Sequence, residues 1–181
     1  FPTRRSSDLK QKEQTSFLKK QNLFYGGSRR QKRRKTARYL STKKPLHLVL
    51  KAKRKISLYK NKQVILAILK RQASLKGVNI YSLSVQGDHI HLCIKIHSRR
   101  LYKAFIRGVT GVIARKLGKA LWLCLPFTRL LTWGKDYKNV LNYIHKNELE
   151  VLGLINYTNS VKVLYSAFHP QYDALYKSYR Y

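Results

Sequence analysis

The sequence predicts an α+β fold with a ferredoxin-like split βαβ arrangement (βαββαβ), in which an antiparallel sheet carries two helices on one face and a C-terminal, tyrosine-bearing helix on the other. Three observations predict it. Four segments have strand-like patterns, and two other segments, which lie between them along the chain, have helical spacing of apolar residues. A third helical segment follows the last strand. The sheet face away from the first two helices is therefore expected to be open to the final helix.

The first strand and the first helix follow from the spacing of apolar residues. Pro45–Lys51 has a leucine at every second position, which predicts a strand with one apolar face. His47 lies on the opposite face of this strand, where it could approach an active site but is more often a spectator. Asn61–Lys76 repeats apolar residues at helical spacing, and Gly77 predicts the end of that helix.

A histidine pair lies in the next predicted element, a hairpin. Val78–Gln86 and His89–Ile96 are typical of strands, and Gly87 followed by Asp88 favours a two-residue type II′ turn between them. This turn sets the register, in which three pairs of residues face each other: Gln86 and His89, Ser84 and His91, and Ser82 and Cys93.

The hairpin has one polar and one apolar face. Because strand side chains alternate between faces, His89, His91 and Cys93 are expected on one side, and Tyr81 on the other with the apolar residues of both strands. Two imidazoles at positions i and i+2 can bind one ion from the same side of a sheet. A lone His-x-His pair is more often just two surface histidines, so this pattern needs support from elsewhere in the chain.

The remaining elements complete the predicted topology. Ser98–Lys119 is predicted as the second helix, with Ser98 as its N-cap. Gly108 and Gly111 each cost that helix about 1 kcal/mol relative to alanine, which indicates close backbone packing or a short break. Pro126–Trp133 is predicted as the fourth strand.

The final helix, Lys135–Glu150, is predicted with Asp136 as its N-cap. Tyr143 and Asn147 lie one turn apart on one face of it. Taken alone, a core tyrosine and an asparagine at a fraying helix end are the simpler interpretation. Together with the histidine pair, these residue types are what a metal-assisted attack of tyrosine on a DNA phosphate needs.

The segments "GDHIHLCIKI" and "YIHKN" together resemble the single-tyrosine HUH transposases of the IS200-like superfamily, in particular the REP-associated tyrosine transposase branch. The resemblance runs from about Leu40 to Leu154 and includes "PLHLVLK", "GVNIYSLSV", "TGVIARKLG" and "PFTRLLTWGKDY". In that family two histidines hold a divalent metal, a helical tyrosine is the nucleophile, and an amide four residues later is the third ligand.

Carried over by position, the resemblance implies that His89, His91 and Asn147 bind Mg²⁺ or Mn²⁺ and that Tyr143 is the nucleophile. It implies an enzyme that cleaves and rejoins single-stranded DNA, often a hairpin, through a 5′-phosphotyrosine intermediate, acting as a monomer or a homodimer. Two positions depart from the pattern. Asn147 stands where many relatives have glutamine, and Glu148 stands where the REP-associated branch commonly has proline.

The chain is strongly basic. It has 39 Lys and Arg residues against 7 Asp and Glu, a net charge of +32, which favours a polyanionic partner, above all nucleic acid. A membrane-spanning helix is not expected, because no stretch approaches the roughly 18 uninterrupted apolar residues that it needs. Five basic residues near the histidine pair are expected to contact DNA phosphates: Lys95, Arg99, Arg100, Lys103 and Arg107.

Other interpretations stay open on the sequence alone. A His-x-His-x-Cys set with Cys93 could hold zinc, although a small packed cysteine is preferred there. The chain could also be a non-catalytic ferredoxin-like module that binds RNA or DNA, or a decayed transposase fragment that folds but no longer cuts. Two cysteines are too few for a disulfide framework, so a reducing cytoplasm is expected. The family resemblance implies a prokaryotic cytoplasm, in association with the nucleoid.

The chain divides into four predicted segments. Residues 1–9 resemble a translated sequencing-library adapter and are expected to be an artefact. Residues 10–44 are expected to form a basic flexible arm, residues 45–154 the catalytic domain, and residues 155–181 a tyrosine-rich tail.

Overall fold

A computed structural model describes residues 23–28, 37–53 and 57–156. The expectations for residues 1–9, for most of the arm and for nearly all of the tail lie outside these ranges. Within them the strands are Phe24–Tyr25 (β1), Leu46–Lys51 (β2), Val78–Val85 (β3), His89–Ile96 (β4) and Phe127–Leu130 (β5), and the helices are Lys62–Leu75 (α1), Arg99–Leu117 (α2) and Lys135–Val151 (α3).

The strands form one antiparallel sheet in the order β1-β5-β2-β4-β3. Without β1, the order β5-β2-β4-β3 is that of a split βαβ fold, in which each crossover helix connects strands that are not neighbours. The predicted fold class is therefore confirmed. The predicted hairpin register is also confirmed, since Ser84 pairs with His91 and Ser82 pairs with Cys93.

The main core lies between the sheet and the layer formed by α1 and α2. Alternate residues of β2 and β4 point into it, as the period of two along each strand requires, and each large apolar side chain stabilises the fold by about 1.5–3 kcal/mol relative to leaving it exposed. The largest fully buried side chains are Leu46, Leu48, Leu50, Leu58, Ile65, Leu69, Ile90, Leu92, Ile94, Ile96, Phe105 and Ile113.

The placement of Tyr81 differs from the prediction. The register shifts between Ile80 and Ser82, so that Tyr81 is an extra residue in β3. Such a bulge reorients a side chain that strict alternation would place elsewhere. Tyr81 is 37% exposed and lies edge-on to the rings of Trp133 and Tyr137, outside the main core to which its position in the alternation had assigned it.

Part of the segment expected to be a flexible arm belongs to the sheet. Phe24 and Tyr25 pair with β5, and the Arg38 guanidinium lies 4.4 Å from the centre of the Tyr25 ring and donates to Pro126 O at 2.9 Å. Gly26 follows with φ +85°, and a Cβ there would lie 2.1 Å from Pro126 O, so only glycine fits. A strand of two residues is too short for periodicity to reveal.

The start of α3 also differs from the prediction. The residue before the helix is Gly134, at φ 92°, and Asp136 lies within the first turn. The Asp136 carboxylate accepts a hydrogen bond from Thr132 N at 3.1 Å and pairs with Arg129. In α2 the predicted N-cap is confirmed, because Ser98 accepts from Arg100 N at 3.2 Å.

The two glycines of α2 differ in their surroundings, which gives a stability prediction. A Cβ at Gly111 would meet no heavy atom within 4 Å, whereas one at Gly108 would lie 2.2 Å from the Gln72 side chain of α1. We expect Gly111→Ala to raise the free energy of unfolding by up to about 1 kcal/mol, because alanine restricts the unfolded chain more than glycine does. Urea denaturation measures it. Gly108→Ala is the matched control and should gain less or lose stability.

Candidate active site

The third helix covers part of the sheet face opposite α1 and α2. A second, smaller core joins Cys93 of β4 and Leu131, just after β5, to Val140 and Ile144 of α3. This packing places α3 over the histidine side of β3 and β4, as the topology predicts. The helical face that carries Tyr143 and Asn147 is thereby held against the sheet of its own chain.

Tyr143 lies beside the histidines rather than in an aliphatic core. Its ring is edge-on to that of His91, with centroids 5.2 Å apart, and to that of His47, at 6.3 Å. The residue is 38% exposed, so part of it is accessible to a substrate. His89 and His91 lie next to each other, with ring centroids 4.6 Å apart. The structure therefore brings together the tyrosine and the two histidines that the sequence singled out.

His47 joins this cluster, so it approaches the site instead of being the spectator that such a histidine more often is. Its Nε2 lies 3.2 Å from Nδ1 of His91, and the two rings are within 21° of parallel with centroids 5.3 Å apart. This separation fits rings joined edge to edge by one N–H···N hydrogen bond. The signal in the sequence was weak, since it consisted only of the place of His47 on the non-core face of β2.

Both buried histidines are neutral at physiological pH. Burial, assisted by the charge of Arg129 and opposed by that of Asp136, lowers the pKa of His47 to about 4. Burial also lowers the pKa of His91 well below its usual value, with smaller contributions from the neighbouring histidines. A neutral imidazole keeps one nitrogen lone pair, which is what a metal ligand requires.

This burial predicts a pH-dependent stability. The unfolded chain protonates His47 near pH 6.5, whereas the folded chain resists protonation until about pH 4. Stability is therefore full above pH 6.5 and is lost as the pH falls through this window, because protons bind the unfolded state more tightly. We expect His47 alone to lower the free energy of unfolding by about 2 kcal/mol between pH 7 and pH 5.

Urea denaturation at both pH values in the presence of EDTA measures this loss. His47→Gln should remove much of the pH dependence, whereas the same substitution at His97, an exposed residue just after β4, should leave it unchanged. A His47→Gln variant with the full wild-type pH dependence would contradict the assignment.

His89 is oriented by its neighbour in the turn. Its Nδ1 lies 2.5 Å from Oδ1 of Asp88, so Nε2 is the ring nitrogen that remains for a ligand. Partial burial raises the pKa of Asp88, but the hydrogen bond and charge of His89, together with the charge of Lys51, outweigh this and lower it. A carboxylate that fixes one nitrogen of a histidine is a common support for metal binding through the other.

Asn147 is held at the hairpin by Gln86. The Gln86 side chain donates to the backbone O of Asn147 at 2.8 Å and to Ser84 Oγ at 2.7 Å, and Ser84 pairs with His91. Gln86 itself faces His89, whose backbone O accepts its N–H at 2.8 Å. Gln86 therefore links the end of α3 to the strand residues that lie opposite the two histidines.

The same end of α3 is tied to the start of α1. Glu148, which stands where the REP-associated branch commonly has proline, pairs with Lys62 of α1. Both side chains are less than one-fifth exposed, so this ion pair is partly shielded from water. It fixes the end of the helix that carries Asn147.

Two buried polar atoms of the site are unpaired. Among the described residues, His91 Nε2 and Asn147 Nδ2 have no hydrogen-bond partner. Buried polar atoms are nearly always paired, so each of these two atoms would take a partner, either a water molecule or a bound ligand. Rotation of the Asn147 carboxamide exchanges its nitrogen and oxygen, and the same position can then offer Oδ1 to a cation.

Cys93 belongs to the smaller core. It is fully buried there, and burial raises its pKa to about 12, so it stays a thiol. Within the described ranges no group of three or more His, Cys, Asp or Glu side chains could hold a metal ion. The candidate ligands are instead two imidazoles and one carboxamide.

The basic residues expected to contact DNA separate into two groups. Lys95 follows His89 and His91 on the same face of β4. Arg99, Arg100, Lys103 and Arg107 belong to α2, whose buried side chains join the main core on the other face of the sheet. Only Lys95 is therefore on the side of the candidate site.

None of the helices within the described ranges combines the length and hydropathy needed to cross a lipid bilayer.

The fold and the site define a class: small α+β proteins in which a helical tyrosine lies over a histidine pair on an antiparallel sheet. Residues 41–147, more than half of the chain, match the protein family described as "Transposase IS200 like". The chain belongs to this family of IS200-like transposases. A comparison with curated protein sequences finds no match.

Solved structures support the fold. A REP-associated tyrosine transposase bound to a REP hairpin superposes with a TM-score of 0.54 at 15% identity, over 68% of this chain and 76% of that one. A candidate transposase from Deinococcus radiodurans R1 superposes with a TM-score of 0.41 at 19% identity, over 64% of this chain and 98% of that one. At these identities the first likeness shows a shared fold, and the second carries no further weight.

Proposed function

We propose that this transposase cleaves and rejoins single-stranded DNA through a covalent bond between Tyr143 and a 5′-phosphate. The observation that carries the proposal is the position of the Tyr143 ring, edge-on to His91 at 5.2 Å and 38% exposed. A tyrosine with only a packing role would be enclosed by apolar side chains. This one faces the imidazoles of His91 and His47 and remains open to a substrate.

The chemistry follows from these groups. The Tyr143 hydroxyl oxygen attacks phosphorus, and the bond between phosphorus and the 3′ oxygen breaks. The phenolic proton is lost, and the departing 3′ oxygen gains a proton to become a hydroxyl. Because phenolate is a better leaving group than an alkoxide, a second 3′-hydroxyl can reverse the step and rejoin DNA without ATP.

His89, His91 and Asn147 would hold a divalent cation, Mg²⁺ or Mn²⁺. When bound, the cation would polarise a non-bridging phosphate oxygen and orient the scissile bond. The unpaired His91 Nε2 and the unpaired carboxamide nitrogen of Asn147, which rotation can exchange for Oδ1, support this assignment, as does the Asp88 carboxylate at His89 Nδ1.

His47 would act as a positioning residue for His91. For His91 Nε2 to keep a lone pair, Nδ1 must carry the proton and donate it to Nε2 of His47, 3.2 Å away. The lowered pKa of His47 keeps that acceptor neutral near pH 7. This hydrogen bond would hold the His91 ring with its free nitrogen towards the site.

The net charge of +32 supports DNA as the substrate. The REP-associated tyrosine transposase with the same fold is bound to a REP hairpin, so hairpin DNA with an unpaired flank is the proposed form. Lys95 would contact phosphates on the site face. The four basic residues of α2 would contact only DNA that passes around the sheet.

The test is a covalent capture assay. Full-length protein is mixed with labelled hairpin DNA that has a single-stranded flank, with Mg²⁺ or Mn²⁺, and is analysed on a denaturing gel. We expect an SDS-resistant adduct that EDTA prevents and that a free 3′-hydroxyl strand reverses. Salt-dependent binding without any adduct would overturn the proposal and favour a non-catalytic nucleic-acid-binding protein.

A further inference from the structure

A groove lies beside the candidate active site on the same face of the sheet. Among the described residues α3 packs mainly on β3 and β4, which leaves the face over β2, β5 and β1 uncovered by a helix. The groove on this face has a volume of about 460 Å³. Its lining includes Phe24, Val49, Lys51, Cys124, Phe127 and Arg129.

The register of the sheet connects this groove to the histidines. Val49 pairs with His91, and Lys51 pairs with His89, so the groove begins one strand away from the proposed metal ligands. On the following strand Phe127 pairs with Val49. The groove is therefore next to the histidines, on the same face of the sheet as the proposed nucleophile.

The lining combines aromatic rings with cations. Phe24 is 43% exposed, an unusual position for phenylalanine, and Phe127 is half-buried. Lys51 and Arg129 are exposed beside them, although Arg129 also pairs with Asp136. Sites that bind single-stranded nucleic acid have this composition, because base faces stack on aromatic rings while cations attract the phosphates.

The charge of the described chain favours an anionic occupant. Each of its four carboxylates already faces a basic side chain: Asp88 with His89, Asp136 with Arg129, Glu148 with Lys62 and Glu150 with Lys146. The large excess of Lys and Arg therefore lacks internal counter-charge. A neutral apolar ligand would use the two rings and leave Lys51 without a role.

We propose that this groove binds the unpaired DNA segment next to the scissile phosphate, with bases stacked on Phe24 and Phe127 and phosphates beside Lys51 and Arg129. The identity of the DNA rests on the proposed function. Base faces are not accessible in a duplex, so the groove selects a single strand. It thereby gives this chain a base-stacking subsite that adjoins the histidines, with Phe127 edge-on to His47 at 6.4 Å.

Cys124 reports on the occupant directly. It lines the groove and is partly accessible, whereas Cys93, the other cysteine of the chain, is fully buried. We expect a saturating single-stranded oligonucleotide to protect Cys124 of the wild-type chain from a thiol-reactive dye in EDTA, and a blunt duplex with the same number of phosphates not to do so. Absence of protection, or equal protection by both, would overturn the proposal.

Variants test the stacking itself. Phe127→Ala, and separately the more exposed Phe24→Ala, should each weaken binding of a single-stranded oligonucleotide by about tenfold and reduce the quenching of a 2-aminopurine in it. Binding to a blunt duplex should be unchanged. Trp133→Ala is the matched control, since Trp133 is 49% exposed but lies outside the lining of the groove. Affinities that the two Phe variants leave at the wild-type value would overturn the proposal.

The outcomes separate this inference from the proposed function. Protection of Cys124 without a covalent adduct would support the groove and refute the tyrosine chemistry. An adduct without protection would support the chemistry and refute the groove. Circular dichroism and thermal melting of each variant confirm that a loss of binding does not arise from unfolding.

Discussion

We expect Tyr143→Phe to eliminate the covalent protein–DNA adduct, a fall of at least about a thousandfold in its rate of formation. The substitution removes only the hydroxyl oxygen that would bond to phosphorus. Because the ring is retained, its edge-on contacts with His91 and His47 should persist. Quantifying the SDS-resistant band against time with labelled hairpin DNA measures the effect.

Tyr137→Phe provides a matched control on the same helix. Tyr137 lies six residues earlier in α3, with its ring against Tyr81 and Trp133 rather than the histidines. This variant should form the adduct at close to the wild-type rate, and Tyr143→Phe should still bind the DNA. An adduct that persists in Tyr143→Phe would assign the nucleophile to another residue.

The second large effect is expected for His91→Ala. This substitution removes the buried imidazole whose Nε2 is unpaired among the described residues. Loss of a hydrogen-bond partner that only orients a metal ligand lowers metal affinity by about 10–100-fold. Loss of the ligand itself should therefore lower metal affinity by more than about 100-fold. Mn²⁺ binding, followed by electron paramagnetic resonance in the absence of DNA, measures it independently of activity.

His97→Ala controls for the loss of a histidine from the same hairpin, since His97 is exposed just past the end of β4. It should bind Mn²⁺ as the wild type does. His47→Gln should lie between the two, because His47 would act on the metal only through its hydrogen bond to His91. If His91→Ala bound Mn²⁺ normally and still formed an adduct, the metal would have to lie elsewhere.

Much of the architecture could be predicted because it depends on regular periodicity. The alternation in β2 and β4 indicated which face is apolar, and the two-residue turn Gly87-Asp88 fixed the register that places Ser84 opposite His91. Helical spacing likewise placed Tyr143 and Asn147 on one face. Strand alternation, turn length and helical spacing each depend on residues close together in the chain, and all three agree with one fold class.

What could not be predicted depends on irregular or distant contacts. The bulge at Tyr81 adds one residue to a strand, which simple alternation cannot detect. His47 and His91 are 44 residues apart, and their contact follows from the pairing of β2 with β4. Gln86 and Asn147 are likewise joined across 61 residues. Sequence spacing indicated the candidate site residues Tyr143, His89 and His91 but not the side chains that contact them.

The two-residue strand β1 has a consequence for self-association. Without it, β5 would be an edge strand with a row of unpaired backbone N–H and C=O groups. Other chains can add strands to such an edge and aggregate. Leu130 N instead donates to Leu23 O at 2.7 Å, and Gly27 N donates to Leu125 O at 3.0 Å. At the opposite margin the bulge in β3 interrupts regular pairing. Both margins of the sheet are thus poor templates for fibril growth, and a chain shortened to begin after Ser28 should precipitate more readily.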